Sequence, residues 1–134
     1  MKKAEKIQCR ALRFLYYDFE SSYDDLLSKG DHRSISVILI HAIAVEVFKC
    51  LNGLAPKYMS DMFEQQNHCY DVRSLHNLKL KKFMTLKYGY HTFSYLGAKV
   101  WNNLPGKIKE SRNLSMFKAR LKDWRDTSSF QRLV

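Results

Sequence analysis

Residues 21–31 read SSYDDLLSKGD, and the fold class turns on whether Asp24 and Asp25 sit between two strands or in the first turn of a helix. An aromatic beside two adjacent aspartates resembles the carboxylate pair with which metal-dependent polymerases hold magnesium, a hard cation that takes oxygen ligands. That signature runs aromatic-any-Asp-Asp on a tight turn between apolar strands, with a third acidic group brought in from elsewhere. Here Ser22 stands two places before Asp24, so the aromatic, Tyr23, comes one place late. The flanks favour a helix. Ser21 and Ser22 are good N-caps, Asp24 and Asp25 put negative charge where the helix dipole favours it, Leu26-Leu27 open an apolar face, and Gly30 offers a left-handed cap. The spacing predicts a short helix over 22–29 and makes the two aspartates structural.

Working outward, residues 3–17 also have helical spacing. Ile7, Ala11, Phe14 and Leu15 form an apolar stripe expected to pack, and Lys3, Lys6, Arg10 and Arg13 recur beside it as a cationic one. On the other side, residues 34–51 are apolar nearly all round, which predicts a buried central helix. Its run ISVILIHAIAV, residues 35–45, is interrupted by His41 and falls well short of the about 20 apolar residues that a bilayer requires. Asn52-Gly53 breaks this helix, and Pro56 suits the first turn of a shorter one in KYMSDMFEQ. Beyond residue 66 the pattern changes. Leu78 and Leu80 alternate with Lys79 and Lys81, which predicts a short β-hairpin or extended arm near residues 77–90. A helix over 92–102 follows, closed by Pro105-Gly106. The last helix is capped by Asn113 or Ser111, with Leu114, Phe117, Leu121 and Trp124 on one stripe and Lys118, Lys122 and Arg125 along its flank. The expected fold is mainly α, a small bundle of five to six helices.

The chain of 134 residues is enough for one compact domain, and 46% apolar and 13% aromatic content is ample for a core. Three cysteines, Cys9, Cys50 and Cys69, in no paired spacing and with no charged-then-apolar leader, lead to the expectation of a reduced, intracellular protein. The net charge of +10 is segregated: residues 1–70 carry 9 Lys/Arg against 9 Asp/Glu, and residues 71–134 carry 14 against 4. The single domain therefore divides into a charge-balanced helical half, 1–66, a basic half, 67–126, and a tail, 127–134. A basic excess interleaved with aromatics points to a polyanion, of which nucleic acid is the commonest. A solvated lysine face is the alternative.

Chemistry-bearing clusters are sparse. His68-Cys69, with His76 and His91, has neither the paired spacing nor the second cysteine pair of a zinc site. No nucleophile elbow places a serine beside a base, and no glycine-rich loop cradles phosphate. The reading is a chain that is not an enzyme and takes no metal or cofactor. The best binding candidates are Lys79, Lys81, Lys82 and Lys87 for phosphate and Tyr88 and Tyr90 for stacking on unpaired bases. Lys6, Arg10 and Arg13, and Lys118, Lys122 and Arg125, are further phosphate candidates.

Four strings in order, EKIQCRALRFLYYDFESSYDDLL, AVEVFKCLNGLAPKYMSDMF, YGYHTFSYLGAKVWNNLP and FKARLKDW, resemble the segment that follows the catalytic domain in LINE-type (non-LTR) retrotransposon reverse transcriptases, jockey-like elements included. The resemblance covers nearly the whole chain. It implies a post-catalytic, thumb-side region of a larger RNA-directed DNA polymerase, here without palm, fingers or nuclease. It further implies partners in RNA or DNA, or a full-length polymerase, and no membrane. Lys3, Lys6, Arg10 and Arg13 match the family's basic helix. Residues 36–44, basic in the family, read Val37-Ile38-Leu39-Ile40-His41 in their first half, which removes the phosphate contacts expected of that helix. A host-retained docking scaffold and a relic without selected function are the alternatives.

Overall fold

The computed structural model describes residues 3–66, 77–82, 89 and 92–124 of the chain. Seven helices occur among them: α1 (Lys3–Tyr16), α2 (Tyr23–Lys29), α3 (Ile35–Leu51), α4 (Lys57–Ser60), α5 (Phe93–Asn103), α6 (Gly106–Lys109) and α7 (Leu114–Asp123). The mainly α expectation holds, and α4 and α6 are single turns. No strand forms among the described residues, and the β-hairpin or extended arm expected near residues 77–90 is not confirmed: residues 83–88 and 90 lie outside the described ones. The extended pairing among the described residues is one isolated antiparallel bridge between Gln65 and Leu78. The chain divides into two compact units, residues 1–40 and 41–134, with α3 passing through the boundary.

In the first unit, α2 forms as its caps dictate. The Ser22 hydroxyl accepts from the Asp24 N–H at 3.3 Å, Asp24 and Asp25 occupy the first turn, and both are exposed. Gly30 is not the left-handed cap that was expected, since its φ is −124° and the positive φ falls on Asp31 at 49°. A Cβ at position 30 would meet Tyr16 Oη and His32 Nε2, which bond each other at 2.9 Å across that space, so a larger residue there would displace this exposed side-chain pair.

The packing face of α1 is a correction. Ile7, Phe14 and Leu15, expected in the core, are 67%, 69% and 63% exposed, and Ala11 is exposed with them. The opposite side packs: Cys9 and Leu12 are buried with Leu26, ringed by Tyr16, Tyr23 and Leu27. Gln8 decides the orientation. Its amide nitrogen donates to the Arg33 carbonyl at 2.8 Å, and its oxygen accepts from the Tyr23 hydroxyl at 2.6 Å and from the Ile35 N–H at 3.1 Å, an orphan donor at the start of α3. Nor is α3 buried all round. Ile38 and Leu39 are about half exposed, whereas Ala44, Val47, Phe48 and Cys50 are buried.

In the second unit the core is a stack of aromatic rings. Phe117 of α7 stacks on Phe48 of α3 at 4.4 Å between centroids and lies 6.0 Å from Trp101 of α5. Leu121, Val100, Leu104 and Ile108 are buried too, and Leu114 and Trp124 are half-buried. The stripe expected on the last helix is thus its packing face. Asn113 is its cap, accepting from the Met116 N–H at 2.8 Å.

Candidate nucleic-acid interface

Extended residues need partners for their backbone groups, and residues 77–79 find them on two sides. The Gln66 N–H donates to the Asn77 carbonyl at 2.9 Å and the Lys79 N–H to the Glu64 carbonyl at 2.8 Å. From α5, the Asn102 side chain completes the pairing: its oxygen accepts from the Leu78 N–H at 2.8 Å and its NH2 donates to the Leu78 carbonyl at 2.9 Å. One amide thereby imitates a neighbouring strand at Leu78, which is almost fully buried. Lys109 adds a further tie, donating to the Asn77 side chain at 2.9 Å and the Asn102 carbonyl at 3.2 Å. Burial pushes its ammonium pKa below the usual lysine value.

That anchor projects a run of cations. Lys79, Lys81 and Lys82 are exposed, and Leu80 is partly so. Lys79 meets Glu64 at 3.4 Å, an exposed pair of small energetic value. The other ion pairs among the described residues are Lys29–Asp18 and Lys49–Glu46, which leaves Lys81 and Lys82 without a carboxylate partner there. On α7, Lys118 and Lys122 are exposed one turn apart, likewise unpaired among the described residues. Arg120, on the other side of the same helix, is structural, donating to the Lys107 carbonyl at 2.5 Å and reaching the Ser111 hydroxyl at 3.4 Å. An open pocket of about 320 Å³ beside it is lined by Lys107, Ile108, Glu110, Arg120 and Asp123, two cations against two carboxylates, and so offers an anion no net attraction.

In the first unit Lys6 and Arg10 are exposed on α1. Arg13 departs from their stripe: it is half-buried, and its Nε is shut away from solvent without a hydrogen-bond partner among the described residues. Lys87, Tyr88, Tyr90 and Arg125 lie outside the described residues, as do His68, Cys69, His76 and His91. Among the described residues no three His, Cys, Asp or Glu side chains converge as a metal site, and no helix is long and apolar enough to cross a membrane. Cys9 and Cys50 are buried free thiols, and burial together with nearby Glu46 pushes the Cys50 pKa up.

The anchoring residues escaped sequence reasoning. Asn102 looks like an ordinary polar helix residue, and Lys109 like one more surface cation. Neither carries a local signal of its partner, 24 residues away in sequence for Asn102 and 32 for Lys109. Comparison with protein-family models, curated proteins and solved structures finds no match for this chain.

Proposed function

We propose that this chain is a non-catalytic nucleic-acid-binding region, of the kind that follows the catalytic domain in LINE-type retrotransposon polymerases, and that it binds RNA or DNA through charge with little sequence preference. The observation that carries the reading is the exposure of Lys81, Lys82, Lys118 and Lys122 without carboxylate partners among the described residues, in the half of the chain that holds the whole excess of +10. Lysines whose charge is not spent on internal pairs are free to displace counterions from phosphate. Lys87, Tyr88 and Tyr90, which follow in the sequence, are the proposed source of further phosphate contacts and of stacking on unpaired bases. Lys6 and Arg10 supply further charge from α1.

The test is a salt titration of binding to a fluorescent single-stranded RNA and its DNA counterpart. The logarithm of affinity should fall with the logarithm of salt by about 0.7 to 0.9 per phosphate contacted. The quadruple change Lys81→Glu, Lys82→Glu, Lys118→Glu and Lys122→Glu should abolish binding without moving the melting temperature, since all four side chains are exposed. Affinity that ignores salt, or survives that change, would overturn the proposal.

The second reading, a protein-docking scaffold, is favoured by one separate observation: the exposed apolar side of α1.

A further inference from the structure

The first unit leaves its strongest apolar stripe outside its own core. On a helix, Ile7, Ala11, Phe14 and Leu15 fall within an arc of about 100°, and the buried Cys9 and Leu12 lie on the opposite side. The arc is extended beyond the helix. Tyr17 takes a φ of 50°, and the chain turns so that Phe19 meets Phe14 edge to face at 5.6 Å between centroids. Phe19 is 56% exposed even so. Together these side chains offer on the order of 500 Å² of apolar surface, at the upper range of what monomers leave uncovered. Along one edge of the arc run Lys3, Lys6 and Arg10, all exposed.

We infer that this side of α1 docks an amphipathic helix of a protein partner, one whose apolar stripe is bordered by carboxylates that meet Lys3, Lys6 and Arg10. The inference goes beyond nucleic-acid binding, since aliphatic and benzyl side chains have no counterpart on a phosphate backbone. Three features select the occupant. The cationic edge demands acidic complement. A partner that wraps a basic helix completely is excluded, because Cys9, Leu12 and the Gln8 hydrogen bonds commit the other side of α1 to its own unit. A second copy paired antiparallel about Ala11 would set Arg10 against its own symmetry mate. A lipid surface fits poorly as well: exposed Glu20 directly follows Phe19 at the aromatic end and puts a carboxylate where anionic headgroups would lie.

The test uses the full chain and two synthetic helical peptides with the same leucine stripe, one bordered by glutamates and the other by lysines, with binding read by fluorescence anisotropy. The glutamate peptide should bind at least tenfold more tightly than the lysine peptide. The double variant Ile7→Glu, Phe14→Glu should lose that binding at least tenfold with an unchanged melting temperature, while RNA binding through Lys81, Lys82, Lys118 and Lys122 persists. In Lys3→Glu, Lys6→Glu, Arg10→Glu, which leaves the apolar arc intact, the preference should invert toward the lysine peptide. Equal affinity for both peptides overturns the inference, as does glutamate-peptide binding that survives the double variant. So does self-association, or binding to phosphatidylserine vesicles, that the double variant removes, because the occupant would then be a second copy or a lipid surface.

Discussion

Asp18 shows how one side chain can hold a turn together. Its carboxylate accepts the Lys29 ammonium, the Ser21 hydroxyl at 2.5 Å and the N–H groups of Ser21 and Glu20 at 3.0 and 3.2 Å, closing the connection between α1 and α2. The Lys29 bond first, and the Ser21 bonds second, hold its pKa well below the ordinary 3.8. The unfolded chain therefore takes up this proton at a higher pH than the folded one. The stabilisation is complete above about pH 4 to 5 and is lost as pH falls through 3.8 and below. The gap in melting temperature between wild type and Asp18→Asn should accordingly be widest near neutrality and close as pH drops toward 2; a gap that does not change with pH contradicts this role. Asn102 is the corresponding residue in the second unit. Replacing it with Ala strands both backbone groups of Leu78, at a cost of about 1–3 kcal/mol in urea denaturation. Lys81 and Lys82 stay in place chemically in that variant, so RNA affinity should weaken through a looser anchor and not through lost charge. No signal in the sequence announces Asn102, because its partner is reached by folding and not by helix or strand periodicity.

At the scale of elements, capping and chain-breaking signals were the most legible. Ser22 and Asn113 cap α2 and α7 as expected, α5 begins after Thr92 and gives way before Pro105, and Asp24 and Asp25 occupy a first helical turn. These signals are local, so they survive whatever the rest of the chain does. Which side of a helix packs is not local. On α1 the stripe of Ile7, Ala11, Phe14 and Leu15 is more apolar than that of Cys9, Leu12 and Tyr16, yet the weaker stripe is buried because Gln8 finds three partners beside it. A half-buried amide satisfied three times outweighs a modest difference in apolar area. On α7 both criteria agreed, and the stripe read from the sequence is the one that packs. Phe117 sits at its centre between Phe48 and Trp101, so Phe117→Ala should cost about 3–5 kcal/mol by loss of burial and ring contact, enough to unfold the second unit at ordinary temperature. A loss below about 1 kcal/mol in thermal or urea unfolding would mean that the three-ring stack is not what holds α3, α5 and α7 together.

Over the whole molecule, the segregation of charge is legible in the sequence itself, because formal charge is additive along a chain and needs no packing to be counted. What the count could not reveal is which cations are already occupied. Lys109 and Arg120 hold backbone carbonyls, Lys29 holds Asp18, and Arg13 is partly shut in, whereas Lys81, Lys82, Lys118 and Lys122 are exposed. Two of the three cysteines, each placed in a different core, have a practical consequence. Cys9 is buried in the first unit and Cys50 in the second, both as free thiols. In a Cys69→Ser background each is a natural clock for the opening of its own surroundings, since a sulfhydryl reagent reacts when the thiol emerges. Pulse labelling followed by mass measurement should give two rates. Phe117→Ala should hasten modification of Cys50 and leave Cys9 as it was; Gln8→Ala should do the reverse. Immediate labelling of either thiol in the native protein would refute its burial, and two rates that always moved together would identify one cooperative transition in place of two.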